Sequence, residues 1–577
     1  MSVLGVNSIK LRLLIISATL VTSIVSGCGS KENSEAIQAG GEDPYYQYQW
    51  HLTNTGQAVF ARTSATAGAD IHFSNTLAAG ITGAGIRVII ADTAIESTHE
   101  DLASHLLLSE AKNYLLPAPY LGNPDNSSAI GHGTSVAGTI GAIADNAIGG
   151  RGVAPNASLL GANVMDDGAD EAGFYEIFQL AGDILNQSYG TSQDAVYGYE
   201  AGIYILAHWA ATQARGGKGM NMIHAAGNDF YIGGFHNKSG TRYGSMRTGN
   251  SNFDPEIAPE MIAVGALNAN GLVASYSSSG SNLWITAPSG EDGVYEPATM
   301  TTERSGCSRF GSISSADLSV FTAFDQGSDG NSNCAYTVQF NGTSSATPVI
   351  SGVIALLLEV NPQLIYRDIK HILASTARKV DDNYVGTDNP FVHSPTGHVW
   401  EKGWITNTAG FHFHNAYGFG AVDTDAAVSM AKATRANTLG QLVETFQRPT
   451  SGAGALDFEN TRDGINLSIP DNSADGVTDS MTLGSRITVE QVVLSVTVSH
   501  TNVGDIGIEL TAPSGTKSTL KYVNDALDGL HNLSDQVFIS NAFYGESSAG
   551  TWQIKVIDGY ATSTGTLNSW AIGLTGH

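Results

Sequence analysis

A chain of 577 residues is longer than one hydrophobic core supports, so at least two domains are expected. With 42% apolar and 14% charged residues it has the composition of a globular protein, which excludes a disordered chain. Its 54 acidic against 27 basic residues give a formal charge of -27, which repels phosphate backbones, argues against nucleic acid as a partner, and leaves carboxylates free for hard cations such as calcium.

At the N-terminus, Lys10 and Arg12 precede the apolar run LLIISATLVTSIV (13–25), which ends on Ser26, Gly27 and Cys28. A positive flank, a short apolar core and small residues form the pattern of an export signal, and the run is too short to span a bilayer comfortably. GSKENSEAIQAGGE (29–42) is small and polar, as in a flexible tether. From Asp43 the texture changes. The β-branched runs IRVIIAD (86–92), SLLGANVM (158–165) and MIAVGAL (261–267) predict buried parallel strands. Between them GTSVAGTIGAIA (133–144), YGYEAGIYILAHWAATQA (197–214) and SATPVISGVIALLLEV (345–360) predict helices. This alternation predicts an α/β domain with a mostly parallel sheet over residues 43–440.

Over residues 441–577, ITVEQVVLSVTVSH, DIGIELTAPSGT, TWQIKVID and LNSWAIGL alternate apolar with polar residues between Gly, Asn and Ser turns, the pattern of an antiparallel β-sandwich. Cys307 and Cys334 suit an oxidising compartment, either as two buried thiols or as a disulfide worth about 3 kcal/mol of chain entropy.

Four segments carry groups for amide hydrolysis by a hydroxyl nucleophile, which needs a base, an orienting carboxylate and oxyanion donors. VIIADTAIESTHEDL ends a strand on Asp92, at the carboxyl edge where α/β sheets gather functional groups. GHGTSVAGTIGA sets His132 at the start of a small-residue helix, and MIHAAGND ends a strand on Asn228, whose amide is an oxyanion donor. NGTSSATPVISG offers three adjacent hydroxyls. Ser344 follows Gly-Thr and opens the helix, Thr343 precedes it, Ser345 lies within the first turn, and Pro348 suits a helix start.

In sequence and context these segments resemble the subtilase family of serine proteases, whose functional residues come in the order Asp, His, Asn, Ser; the similarity runs from Asp43 to the mid-430s. DPYYQYQWHL (43–52) and GWITNTAGFHFHNAYGFGAVD (403–423) resemble the kexin and furin branch, the proprotein convertases. That branch carries a β-sandwich P domain, which IPDN (469–472), HTNVGDIGIELTAPSGT (500–516), GTW (550–552) and GTLNSWAIGLTG (565–576) resemble. The resemblance implies an α/β subtilisin-like domain with a mostly parallel central sheet, followed by an all-β jelly-roll-like sandwich. It also implies a serine endopeptidase acting on protein or peptide substrates, with Ser344 as nucleophile, His132 as base, Asp92 as its orienter and Asn228 in the oxyanion hole. Substrate would add a strand to two edges, Ser188, Tyr189 and Gly190 on one side and Ala225, Ala226 and Gly227 on the other. A structural calcium ion would take side chains of Asp43, Asp101 and Asn146 and carbonyls of Ile143, Ile148 and Gly150, an all-oxygen set.

VSGC (25–28) resembles a bacterial lipoprotein box, implying removal of residues 1–27, lipidation of Cys28 at the head of the 28–42 tether, and anchoring in the cell envelope, with Gly29 and Ser30 favouring the outer membrane. An ordinary secretory signal is the alternative. The short stretch between Cys28 and Asp43 holds no family prodomain, so a separate folding chaperone is a candidate partner.

The chain also departs from the family pattern. Ala94 replaces the glycine of the first motif, and Thr93 stands where convertases place an aspartate that helps bind a basic substrate residue. ASYSSSGSN (274–282) has serines where a convertase would have an acidic residue. Asp194, Asp229, Asp254 and Glu256 are candidate replacement charges that otherwise read as solvated loop residues. Preference for basic residues and broad apolar or small-residue specificity both stay open. Cys307 occupies a convertase cysteine position whose usual partner is here Gly149, so pairing with Cys334 across the inserted loop 308–338 is the economical arrangement. The rival from another class is an inactive surface binding protein using its P domain; its signature would be a substituted Asp, His, Asn or Ser, and none is substituted.

Overall fold

The computed structural model describes residues 43–114, 131–166, 172–229, 249–308, 321–382, 384, 396–451, 454–523, 527 and 529–577; the expected export segment, Cys28 and the expected tether lie outside them. In β1 (Arg87–Asp92) the run Val88, Ile89, Ile90, Ala91 is fully buried, so both strand faces need cover. Val88 and Ile90 pack with Val136, Ile140, Val349 and Val353, whereas Ile89 and Ala91 pack with Ile203, Ala207 and Ala210 on the opposite face. Helices His132–Gly141 and Thr343–Val360 therefore cover one face and helix Ala201–Gly217 the other, the layering that a parallel strand requires.

The sheet has seven strands, continuing with β2 (Lys112–Asn113), β3 (Ser158–Asn163), β4 (Ile184–Gln187), β5 (Asn221–Ala225), β6 (Ile262–Leu267) and β7 (Leu283–Pro288), in the order β2-β3-β1-β4-β5-β6-β7. Every pairing is parallel. The chain leaves β1 to one side for β2 and β3 and returns on the other as β4. The topological switch therefore falls between β1 and β4, and the crevice beyond their carboxyl ends is where such sheets hold ligands. Cys307 and Cys334 are joined as a disulfide.

Helix boundaries differ from expectation where backbone geometry intervenes. The helix predicted from 197 starts at Ala201, because Gly198 takes a left-handed φ of 76° and the Glu200 side chain caps Gly202 N instead. The helix predicted over 133–144 stops at Gly141, where Ala142 turns extended with ψ 138°. Thr343–Val360 is long and apolar enough to cross a membrane, but it is the central core helix and is mostly buried.

Val443–Glu444 pairs with the C-terminal strand Gly565–Gly576, which joins Val489–His500 and Leu533–Ser540 in one antiparallel sheet. Val477–Leu483, Gly550–Asp558, Ile506–Thr511 and Lys517–Lys521 form the second. Inward residues Val492, Leu494, Val496, Leu510, Trp552 and Ile554 fill the space between them. The sandwich is also part of the α/β core. Tyr544 packs edge-on against Trp284 at 5.6 Å and Phe411 at 4.8 Å, and Asn541 donates to the carbonyls of Asn282 and Leu283.

A buried ion pair crosses the same interface. Arg367 Nε donates to Glu490 Oε2 at 2.8 Å, Arg367 Nη2 engages Oε1, and Nη1 donates to Gly440 O at 2.7 Å. Removing one partner of a buried pair strands the other charge, at a cost of about 3 to 5 kcal/mol. Arg367→Met is expected to lower the thermal unfolding midpoint by several degrees, and Arg367→Met/Glu490→Leu to recover most of the loss, as read by calorimetry.

Candidate active site

Asp92 ends β1 fully buried, and His132 is the first residue of helix His132–Gly141. His132 Nδ1 lies 2.7 Å from Asp92 Oδ1, which also accepts from Thr93 N at 2.7 Å. A carboxylate only accepts, so Nδ1 holds the proton and Nε2 of the neutral ring keeps its lone pair. The helix reaches this position by close approach: a Cβ on Gly133 would lie 2.2 Å from Thr93 O, and one on Gly138 would lie 2.1 Å from Thr302 Oγ1. Thr93 Oγ1 accepts from Gly133 N at 2.8 Å, so the threonine in the aspartate position ties down the helix start. Ala94 keeps a negative φ, and its methyl demands no special turn. Burial alone would lower the His132 pKa, but the charge and hydrogen bond of Asp92, with the charge of Glu303, raise it above the ordinary 6.5.

Gly342 caps helix Thr343–Val360 with φ 85° and is held from both sides: it donates to Tyr276 Oη at 2.9 Å, and its carbonyl accepts from Ser289 Oγ at 2.6 Å. Thr343 N and Oγ1 both donate to Asn228 Oδ1, at 2.8 and 3.0 Å. That fixes the amide orientation and leaves Asn228 Nδ2 as the unengaged donor. The three hydroxyls separate by surroundings. Thr343 is fully buried on Asn228, Ser345 is fully buried on Thr299 Oγ1 at 2.7 Å, and only Ser344 is part-exposed. Thr343 is already the first helical residue and Ser344 the second, one place later than expected. Pro348 falls in the second turn, not the first, where its missing N–H deprives the Ser344 carbonyl of its helical donor.

Ser344 Oγ donates to Ser188 O at 3.0 Å. Asp92 with His132, and Asn228 with Thr343 and Ser344, are thus brought together, while Ser344 and His132 are not hydrogen-bonded to each other. In ligand-free enzymes such bonds are commonly long and tighten with substrate.

Ser188, Tyr189 and Gly190 follow β4, and Ala225, Ala226 and Gly227 end and follow β5, so both expected edges border the crevice. On the second edge Ala226 O already accepts from Gln193 Nε2 at 2.7 Å and Gly227 O from Ser278 N at 3.0 Å. Asp254 is not the solvated loop residue expected: it is 3% exposed, accepts from Thr191 N and Glu256 N, and sits where a Cβ on Gly190 would meet its Oδ2 at 2.4 Å. Glu256 is half-buried beside it and accepts from Thr191 Oγ1 at 3.2 Å. Asp194 and Asp229 do lie on the surface side, taking Ser192 Oγ and Gln193 N.

Asp43 and Asp101 are 4% and 0% exposed and both bond to the loop 143–150. Asp43 accepts from Asp145 N and Asn146 N, Asp101 Oδ1 accepts from Asn146 Nδ2 at 2.8 Å, and Ile143 N donates to Asp101 O. Left-handed φ values at Asp145, Ala147 and Gly149 curl residues 143–150, including Ile148 and Gly150, around the two carboxylates. Asp101 Oδ2 is buried with no hydrogen-bond partner, and burial pushes the group up to about 8. The donor set and the orphaned oxygen fit a hard cation. Asn146 presents its amide nitrogen to Asp101 while its oxygen takes Ile148 N, so as a ligand it would turn its amide over.

Tyr276, Ser289 and Glu303 were not legible as part of this site. All three act from remote segments, and no motif marks them.

A model of the subtilase family matches residues 83–420, and a model of the proprotein convertase P-domain matches residues 489–574. The chain is 32% identical over 553 residues to the Aeromonas extracellular serine protease of Aeromonas sobria, covering 90% of this chain and 84% of that one. It is 27% identical over 556 residues to neuroendocrine convertase 2 of Homo sapiens, covering 92% of this chain and 74% of the relative. The crystal structure of the Aeromonas sobria serine protease in complex with the chaperone ORF2 superposes with a TM-score of 0.77 at 30% identity, covering 93% of this chain and 95% of that one.

Proposed function

This chain belongs to the subtilase family of serine endopeptidases and carries a proprotein convertase P domain, and we propose that its peptide-bond hydrolysis runs through Ser344, His132, Asp92 and Asn228. The observation that carries this assignment is the 2.7 Å His132–Asp92 bond, with the His132 ring edge-on at 5.6 Å to Phe340, which leads into a part-exposed Ser344 whose neighbour Thr343 aims the Asn228 amide. Ser344 Oγ turns from the Ser188 carbonyl to His132 Nε2, gives up its proton there and attacks the substrate carbonyl. Asp92 stabilises the imidazolium, which passes the proton to the leaving amine, and water then releases the acyl group by the same route. Ser344 N–H and Asn228 Nδ2 receive the oxyanion, a donor of the second kind being worth about 10² to 10³ in turnover. A fluorophosphonate probe tests the assignment: labelling of the calcium-loaded protein that is lost in Ser344→Ala supports it, and equal labelling of both sinks it.

Hydrolysis uses the neutral imidazole, and the charge of Asp92 raises the His132 pKa above 6.5. The acid limb of the kcat/KM profile is therefore expected above pH 6.5, with activity lost as pH falls through it. Glu303→Gln removes one raising charge and is expected to move that limb to lower pH.

Asp254 and Glu256 behind Gly190 support a preference for a basic residue before the scissile bond. Their engagement with Thr191 N, Thr191 Oγ1 and Glu256 N favours the broad apolar or small-residue alternative. Paired fluorogenic peptides ending in Lys-Arg and in Ala-Ala-Pro-Phe separate the two.

Asp43, Asp101 and Asn146, with carbonyls of Ile143, Ile148 and Gly150, would hold calcium, which supplies positive charge at the orphaned oxygen of Asp101. Chelation is expected to lower the unfolding midpoint and excess calcium to restore it, a response abolished in Asp101→Asn. An extracellular setting and a separate folding chaperone are proposed from the description of the Aeromonas sobria protease and its complex. Acylation of Cys28, holding the protein at the cell envelope, is the finer proposal; release of Cys28→Ser from membranes, against retention of wild type, tests it.

A further inference from the structure

We propose that His224, Asp254 and Glu256 form a binding site for a divalent transition-metal ion of the zinc class, in the wall of the crevice behind Gly190. His224 lies on β5, is 0% exposed, and is oriented by an edge-on Tyr189 ring at 5.7 Å. Its Nδ1 is 2.8 Å from Ala225 O, and a carbonyl only accepts. In the neutral ring the proton therefore sits on Nδ1 and the Nε2 lone pair points inward, the arrangement by which a backbone carbonyl prepares a histidine for a metal.

Nε2 has no hydrogen-bond partner, and neither does the atom it faces, Glu256 Oε2, 4.0 Å away. Asp254 completes a group in which one ligand atom from each residue lies within 4.8 Å of the others. With the ring neutral, His224 Nε2 and Glu256 Oε2 are buried acceptors facing one another with no donor between them, which is costly, and a cation held by both and by Asp254 removes that cost. The outer sides of the carboxylates are already held: Asp254 Oδ1 by Glu256 N at 3.0 Å, Asp254 Oδ2 by Thr191 N at 3.1 Å, and Glu256 Oε1 by Thr191 Oγ1 at 3.2 Å. Metal–ligand lengths of about 2.0 to 2.2 Å require these side chains to close inward slightly, leaving a fourth position for water.

An imidazole ligand selects zinc-like ions over calcium, so this site is chemically distinct from the all-oxygen loop at Asp43 and Asp101. The other histidine and carboxylate group among the described residues, His208, Glu260 and Glu444, carries its own cation: Arg448 Nη1 donates to Glu444 at 2.9 Å and Nη2 pairs with Glu260. Among the described residues no guanidinium or ammonium bonds to His224, Asp254 or Glu256.

The test uses the full chain as Ser344→Ala, which prevents self-digestion, saturated with calcium and titrated with Co²⁺ and then Zn²⁺. One equivalent of Co²⁺ with visible d–d absorption, displaced by Zn²⁺, is expected. Glu256→Gln and His224→Asn in the same background should each weaken uptake at least about tenfold while keeping the calcium-dependent unfolding midpoint. Absence of uptake by the calcium-saturated protein overturns the proposal, as does uptake undiminished in both variants. The basic-residue preference is read separately, in zinc-free calcium buffer, and its failure leaves the metal site standing.

Discussion

Ser344→Ala is expected to lower kcat for peptide hydrolysis by about 10⁶-fold, and His132→Ala by a similar factor, with the double variant scarcely worse than either. The non-additivity is the informative part. A hydroxyl without its base and a base without its hydroxyl are equally idle, so the second deletion removes nothing that still works. Steady-state turnover normalised to folded protein measures it, and additive losses would show that Ser344 and His132 act separately. Ser345→Ala is the internal control: its hydroxyl is buried on Thr299 and should leave fluorophosphonate labelling intact.

Asp92→Asn should cost about 10⁴-fold in kcat with the fold preserved. Asp92 Oδ1 receives two donors, Thr93 N–H and His132 Nδ1–H. An asparagine with its oxygen there keeps the ring's tautomer but gives the imidazolium no counter-charge. Turned over, it sets an NH₂ against two N–H donors. Because the Asp92 charge is among the causes raising the His132 pKa, the residual activity should show its acid limb at lower pH than wild type. A pH profile of kcat/KM measures both effects, and an unmoved limb would deny Asp92 its role on the imidazole.

Features set by local chemistry were legible in the chain. β1 follows from four consecutive buried apolar residues, and Asp92 and His132 follow from a strand end and a helix start. Features set by remote segments were not. The one-residue shift at Thr343 comes from Gly342, whose left-handed conformation is held by Tyr276 and Ser289 from elsewhere in the sheet region. Asp254 reads as a loop residue because Asp-Pro-Glu has no periodicity; its burial is imposed by Gly190 and Thr191, which arrive from β4. Tyr544 likewise reads as sandwich core, since the α/β aromatics it meets lie far upstream.

That placement of Tyr544 makes the join between the two sequence regions a poor place to divide the molecule. A fragment ending before Val443 would present Trp284, Phe411 and Phe419 to water and leave Arg367 without its carboxylate. The sandwich is thus the last wall of the enzyme's interior. A break in the intervening chain would leave two pieces held by their shared interior, and neither piece alone would be a working half.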